Sequence, residues 1–164
     1  MGTRETRRGR SSAGLSDRKR GRPRAGKSQA TSSAILRFRG GFRWDGVPLE
    51  AYKLSAQRWS EFRGASRQVL IGRDAERVRF HVRYFELAPG GFTSLERHRH
   101  SHVVIGIRGR GRVRIGDRRY GVARLDTVYI APDQPHQLAA VGRAAFGFLC
   151  IVDARRDRPR PVGE

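Results

Sequence analysis

Cysteine is almost missing from this chain: Cys150 is the only one among 164 residues. No intrachain disulfide can form, which suits a reducing compartment. Long apolar runs are missing too. None approaches the roughly 20 residues that a membrane-spanning helix needs. The N-terminus carries no apolar stretch of the signal-peptide kind, so a soluble cytoplasmic protein is expected. Lysine is scarce, with only Lys19, Lys27 and Lys53, so the formal charge of +20 is almost all arginine. An arginine-for-lysine bias in a chain rich in Gly and Ala reflects genomic base composition as readily as it reflects a ligand. Binding to single-stranded nucleic acid favours aromatics interleaved with the cations. The alternating Arg108, Arg110, Arg112 and Arg114 lack them. Residues 1–60 show no helix-turn-helix pattern. Nucleic acid is therefore not the expected partner.

What is present points to β-structure. Apolar content is 37% with 20 glycines, which suits a turn-rich β domain more than a helical bundle. Residues 1–33 hold ten Lys/Arg against Glu5 and Asp17 and almost nothing apolar. Such a segment cannot offset its ordering entropy, so a disordered basic tail is expected. Residues 34–67 read as N-terminal strands. Ile35 to Phe38 and Arg43 to Val47 flank Gly40-Gly41, and Asp45-Gly46 is a turn signal. Residues 68–153 read as the main domain, opening with the strand Gln68–Ile71. Val78, Phe80, Val82 and Tyr84 alternate with Arg79, His81 and Arg83, the period of a half-buried strand, ending at Pro89-Gly90-Gly91. His81 reads as an exposed strand residue. Val103 to Ile107, Arg112 to Ile115, Thr127 to Ile130 and Phe146 to Val152 supply further strands, and residues 154–164 a charged surface tail. Short strands at this spacing, with no long amphipathic helix, predict an antiparallel sandwich or barrel.

Four of the five histidines fall in two short segments. The first runs from Gly90 through Glu96-Arg97-His98-Arg99-His100-Ser101-His102 to Gly109. The second runs from Leu125 to His136. Imidazoles with a carboxylate nearby are what a borderline divalent metal takes, so the cluster predicts a metal site. Strand alternation places Arg97 on the face opposite Glu96 and His98. It also puts His102, Val104 and Gly106 on one inward face, where Gly106 would leave the cavity floor open.

These segments resemble the two motifs of the cupin superfamily, small jelly-roll β-barrels that hold a metal inside. The first family motif is Gly, five residues, His-x-His, three or four residues, Glu, six residues, Gly. Here the spacing from Gly90 to Gly109 fits, with Glu96 in place of the first His and His102 in place of the Glu. In the second motif His136 is present, while Leu125, Ala131, Asp133 and Ala140 replace Gly, Pro, Gly and Asn. The resemblance covers roughly residues 68–152. It implies an all-β cupin-type barrel with Glu96, His98, His102 and His136 as ligands, three imidazoles and one carboxylate. A second register, using His98-x-His100, supplies only two motif donors. His100 is then a cavity or outer residue in the preferred register, with Val104 and Gly106. The small cupins with four-histidine sites, often manganese, carry a similar Phe148-Leu149-Cys150 stretch, which implies that Cys150 lines the cavity.

One divalent transition metal per chain is implied, manganese or iron first, with nickel, copper or zinc as alternatives. The open coordination positions suit a metal-dependent oxygenase, such as a dioxygenase, acting on a small organic substrate. A non-catalytic small-molecule binding or sensor module is the alternative, because the fold does not fix function. Single-domain cupins commonly pair, so a homodimer is expected, with 35–47 or Gln68–Ile71 covering a partner's sheet edge.

Overall fold

The computed structural model describes residues 33–53, 61–73 and 76–162. The basic segment expected to be a disordered tail lies outside them, apart from Ser33. No described residue is helical, and none lies in a helix long and apolar enough to cross a membrane.

Among the described residues thirteen strands form. β1 (Phe38–Gly40) and β2 (Arg43–Trp44) make a separate two-stranded hairpin. The other eleven belong to one sheet that curls into a barrel: β3 (Glu50–Ala51), β4 (Arg63–Ile71), β5 (Phe80–Phe92), β6 (Glu96–Arg97), β7 (His102–Arg108), β8 (Gly111–Ile115), β9 (Arg118–Val122), β10 (Thr127–Ile130), β11 (His136–Ala140), β12 (Phe146–Asp153) and β13 (Arg160–Pro161). Every pairing is antiparallel. β12 lies between β5 and β7, β10 pairs with β7, and β11 is shared by β5, β6 and β8. β4 pairs with β5 of its own barrel and with β3, so Gln68–Ile71 is an integral strand rather than a detached arm.

Alternation fills the interior. Phe146, Phe148, Cys150 and Val152 of β12 point inward, as successive side chains of a strand take opposite faces. They meet Phe85, Leu87, Val104, Val113, Val122, Ile130 and Leu138 in one apolar cluster. The cluster occupies part of the barrel and leaves a cavity in the rest.

β5 departs from its sequence reading in two ways. It continues through Pro89 to Phe92, because Gly90 takes φ 69° and the β4 register shifts between Arg63 and Ala65. That is a bulge, which absorbs an extra residue without ending the strand. Its faces are also reversed. Tyr84 is buried on the outside, stacked on Phe42 at 5.6 Å and packed on Trp44 at 5.2 Å under the β1–β2 hairpin. Arg83 and Phe85 therefore face the interior, while Phe80 is 48% exposed.

Gly106 also corrects its reading. It shares the buried face of β7 with His102 and Val104, but the space beside it is filled. A Cβ there would overlap the carbonyl oxygen of Ala123, and Gly106 exchanges backbone hydrogen bonds with Asp126 and Leu125. Backbone takes the space beside Gly106, and Gly106 lines no part of the cavity. Gly106→Ala should cost about 1–3 kcal/mol through overpacking, read by chemical denaturation, with metal content unchanged. Unaltered stability would restore the open floor.

Residues 154–162 are largely exposed, as a charged surface tail would be, but they are tied to the barrel. β13 pairs with β6, Arg160 donates to Asp133 at 2.8 Å, and Asp157 and Pro159 line the cavity.

Candidate metal centre

The cavity measures about 290 Å³ and opens at the end of the barrel where β6, β7 and β11 begin. His98 sits in the turn after β6, His102 starts β7 and His136 starts β11. The turn is clamped from the second histidine segment, where the Asp133 N–H donates to the His98 carbonyl at 2.7 Å. The two segments are thereby tied together as a unit.

All three imidazoles are buried, and one ligand atom from each lies within 4.8 Å of the others. Their outer nitrogens are committed. The His98 Nδ1–H donates to the His100 carbonyl at 2.8 Å, and the His136 Nδ1–H donates to the Gln134 carbonyl at 2.9 Å. His102 Nδ1 faces the Cys150 sulfur at 3.6 Å. With Nδ1 carrying the proton in His98 and His136, Nε2 of these two rings is the free acceptor. The Nε2 atoms of His98 and His102 are buried with no hydrogen-bond partner. Buried polar atoms without partners are rare and call for an explanation. A metal supplies one, since ligating histidines characteristically donate their other ring N–H to a carbonyl or similar group. Burial, chiefly, holds His98, His102 and His136 below the ordinary imidazole value, and for His102 the neighbouring charges add to it. The rings are neutral near pH 7, the form that ligates.

Glu96 faces the same space. It stands opposite His136 in the β6–β11 register, so the two side chains share a face. Its Oε2 accepts from Lys53 Nζ at 2.6 Å and from Ser94 Oγ at 2.8 Å. It is not among the three converging donors. His100 lies behind them, its ring 3.7 Å from His98 and nearly parallel, its Nδ1 2.8 Å from Asp157 Oδ1. Asp157 also accepts from the Arg99 backbone N–H, and these two bonds hold its carboxyl well below the usual range. Of the four ligands that the two sequence motifs imply, the three histidines converge at one end of the barrel, and Glu96 does not join them.

Residues 83–152 match the cupin domain family. The chain belongs to the cupin superfamily. Over 123 residues this cupin is 42% identical to the 1-methylthio-D-xylulose 5-phosphate methylsulfurylase of Rhodospirillum rubrum, covering 75% of the present chain and 76% of the relative. A crystal structure of a cupin-2 domain from Rhodospirillum rubrum is 40% identical with TM-score 0.68, over 79% of this chain and 84% of that one. A cupin 2 conserved barrel domain protein from Rhodopseudomonas palustris is 38% identical with TM-score 0.70, over 78% and 86%.

The rest of the cupin cavity is half apolar and half cationic. Val104, Phe85, Phe148 and Leu138 make the apolar wall. Cys150 is buried there, its thiol pushed up by burial and opposed by Arg83, whose Nη2 donates to the sulfur at 3.3 Å. Lys53, Arg67, Arg83 and Arg156 also line the cavity. Sequence reasoning placed none of the four at the site. They come from separate stretches of chain, and only the fold brings them together. His81 does not line the cavity; its Nδ1 accepts from Arg156 at 2.9 Å.

Proposed function

We propose that this cupin is a metal-dependent enzyme acting on a small phosphorylated sugar that carries a thioether. The observation that carries the metal half is the convergence of three neutral imidazoles, two of which, His98 and His102, have buried Nε2 atoms without a partner. The substrate half rests on the 42% identity with a protein named for 1-methylthio-D-xylulose 5-phosphate. One divalent ion, manganese or iron, is held by His98, His102 and His136. Glu96 is the fourth donor, through the oxygen not bonded to Lys53 and Ser94. Such an ion polarises a substrate oxygen as a Lewis acid and keeps positions open for ligands. The Lys53 and Ser94 bonds fix the Glu96 carboxylate. The Val104, Phe85, Phe148 and Leu138 wall keeps water from the reacting carbon. Cys150 offers a thiol on that wall.

The same donor set also suits dioxygen, and an oxygenase acting on a small organic substrate is the second reading. One assay separates them. Metal-loaded protein is given 1-methylthio-D-xylulose 5-phosphate and a small thiol, with and without air, and the products are weighed by mass spectrometry. Loss of the methylthio group without oxygen, abolished by chelation, is the expected result. A product that gains oxygen only in air favours the oxygenase. No turnover under either atmosphere removes the proposed substrate.

A further inference from the structure

Three guanidinium groups are gathered along one face of β5. Arg83 is on β5 itself. Arg67 of β4 is the register partner of Phe85, two residues along on the same face. Arg156 reaches His81, two residues along the other way, and also donates to the Asp153 carbonyl at 2.8 Å. All three line the metal cavity. Arg67 is neutralised by Glu50 at 2.6 Å. Neither Arg83 nor Arg156 forms an ion pair with a carboxylate among the described residues. The charges of Arg83 and Arg67 act against that of Arg156 and add to the effect of burial on it, while Cys150 and the Asp153 carboxylate act the other way. Arg83 Nε is buried without any partner.

Glu96 and Asp157 also line the cavity, but Glu96 is bonded to Lys53 and Asp157 to His100, so neither pairs with these arginines. Gathering like charges without paired carboxylates is unfavourable, and more so where water is partly excluded. A bound anion removes that cost. Guanidinium forks match the oxygens of a phosphate and hold them by paired, charge-assisted bonds. Two guanidinium groups with no carboxylate paired to them suit a phosphomonoester dianion better than a single carboxylate. We propose that Arg83 and Arg156, with Arg67 beside them, form the subsite for the phosphate of a sugar phosphomonoester. Its carbon chain runs past Cys150, the register partner of Arg83, toward the three histidines. The inference rests on the sugar-phosphate reading of the cavity and assigns the residues that recognise it.

The test uses the full chain loaded with manganese, titrated calorimetrically with D-xylulose 5-phosphate and with D-xylulose. The phosphorylated sugar should bind at least tenfold more tightly, and inorganic phosphate should compete with it. Arg156→Gln should weaken the phosphorylated sugar by tenfold or more while leaving D-xylulose binding and metal content unchanged. Arg83→Gln should do the same. If it fails to fold, the exposed Arg156 carries the test alone. Arg110→Gln, at an exposed arginine away from the cavity, should have no effect. Equal binding of the two sugars, no binding of the phosphorylated one, or equal losses in Arg156→Gln and Arg110→Gln would overturn the subsite. Phosphate-selective binding in protein that takes up no metal would support the subsite and overturn the metal reading instead.

Discussion

His102→Ala is expected to lower metal affinity by on the order of 100-fold or more, leaving dialysed protein with almost no bound ion. Loss of a partner that merely orients a ligating histidine costs 10–100-fold, and removing a donor outright costs at least as much. His102 is held neutral chiefly by burial, to which the charge of Arg83 adds. The same change relieves a burden on the metal-free protein, since a buried nitrogen with no partner disappears. The metal-free variant should therefore melt no lower than metal-free wild type. Equilibrium dialysis followed by elemental analysis measures the first effect, and a thermal melt in chelator measures the second. A His102→Ala protein that retains wild-type metal would remove His102 from the site.

The second large effect is on stability. Phe146 is fully buried, and its ring lies 5.2 Å from that of Phe148. The space for it is made by Gly111 on β8, where a Cβ would run into the Phe146 ring. The β8 backbone therefore packs directly against the ring. Phe146→Ala should cost about 3–5 kcal/mol. That is a large share of the roughly 5–15 kcal/mol that typically holds a domain together. Urea denaturation of the metal-free protein measures it without the contribution of ion binding. A loss below about 1 kcal/mol would mean that the barrel repacks around the missing ring, contrary to the close fit described.

The sequence shows the strands and the histidines well because both signals are local. A period of two is written into neighbouring residues, and Glu96, His98 and His102 lie on one short segment. His136 was found by motif spacing. β11, which it opens, carries no clear alternation and was not anticipated. The face of β5 was misread for a physical reason. Alternation reports which residues are apolar, not which sheet face meets the cavity, and here the β1–β2 hairpin gives Tyr84 an apolar cover on the outside. Arg83 therefore points inward although its neighbours suggest the opposite. The cationic side of the cavity depends on contacts between β4, β5 and the stretch after β12, distances that no local pattern encodes. Asp157 was missed in the same way, in residues that look like a solvated tail until β13 pairs with β6. Gly106 shows the remaining failure. A missing side chain reads as empty space, whereas here another stretch of backbone occupies it.

The most direct test of the metal centre is elemental analysis of the full chain after reconstitution with manganese or iron and dialysis, beside Glu96→Ala and His100→Ala. About one ion per chain in the wild type, kept in His100→Ala and reduced in Glu96→Ala, is the predicted result. No bound ion in the reconstituted wild type, or an ion lost in His100→Ala but kept in His102→Ala, would contradict the account.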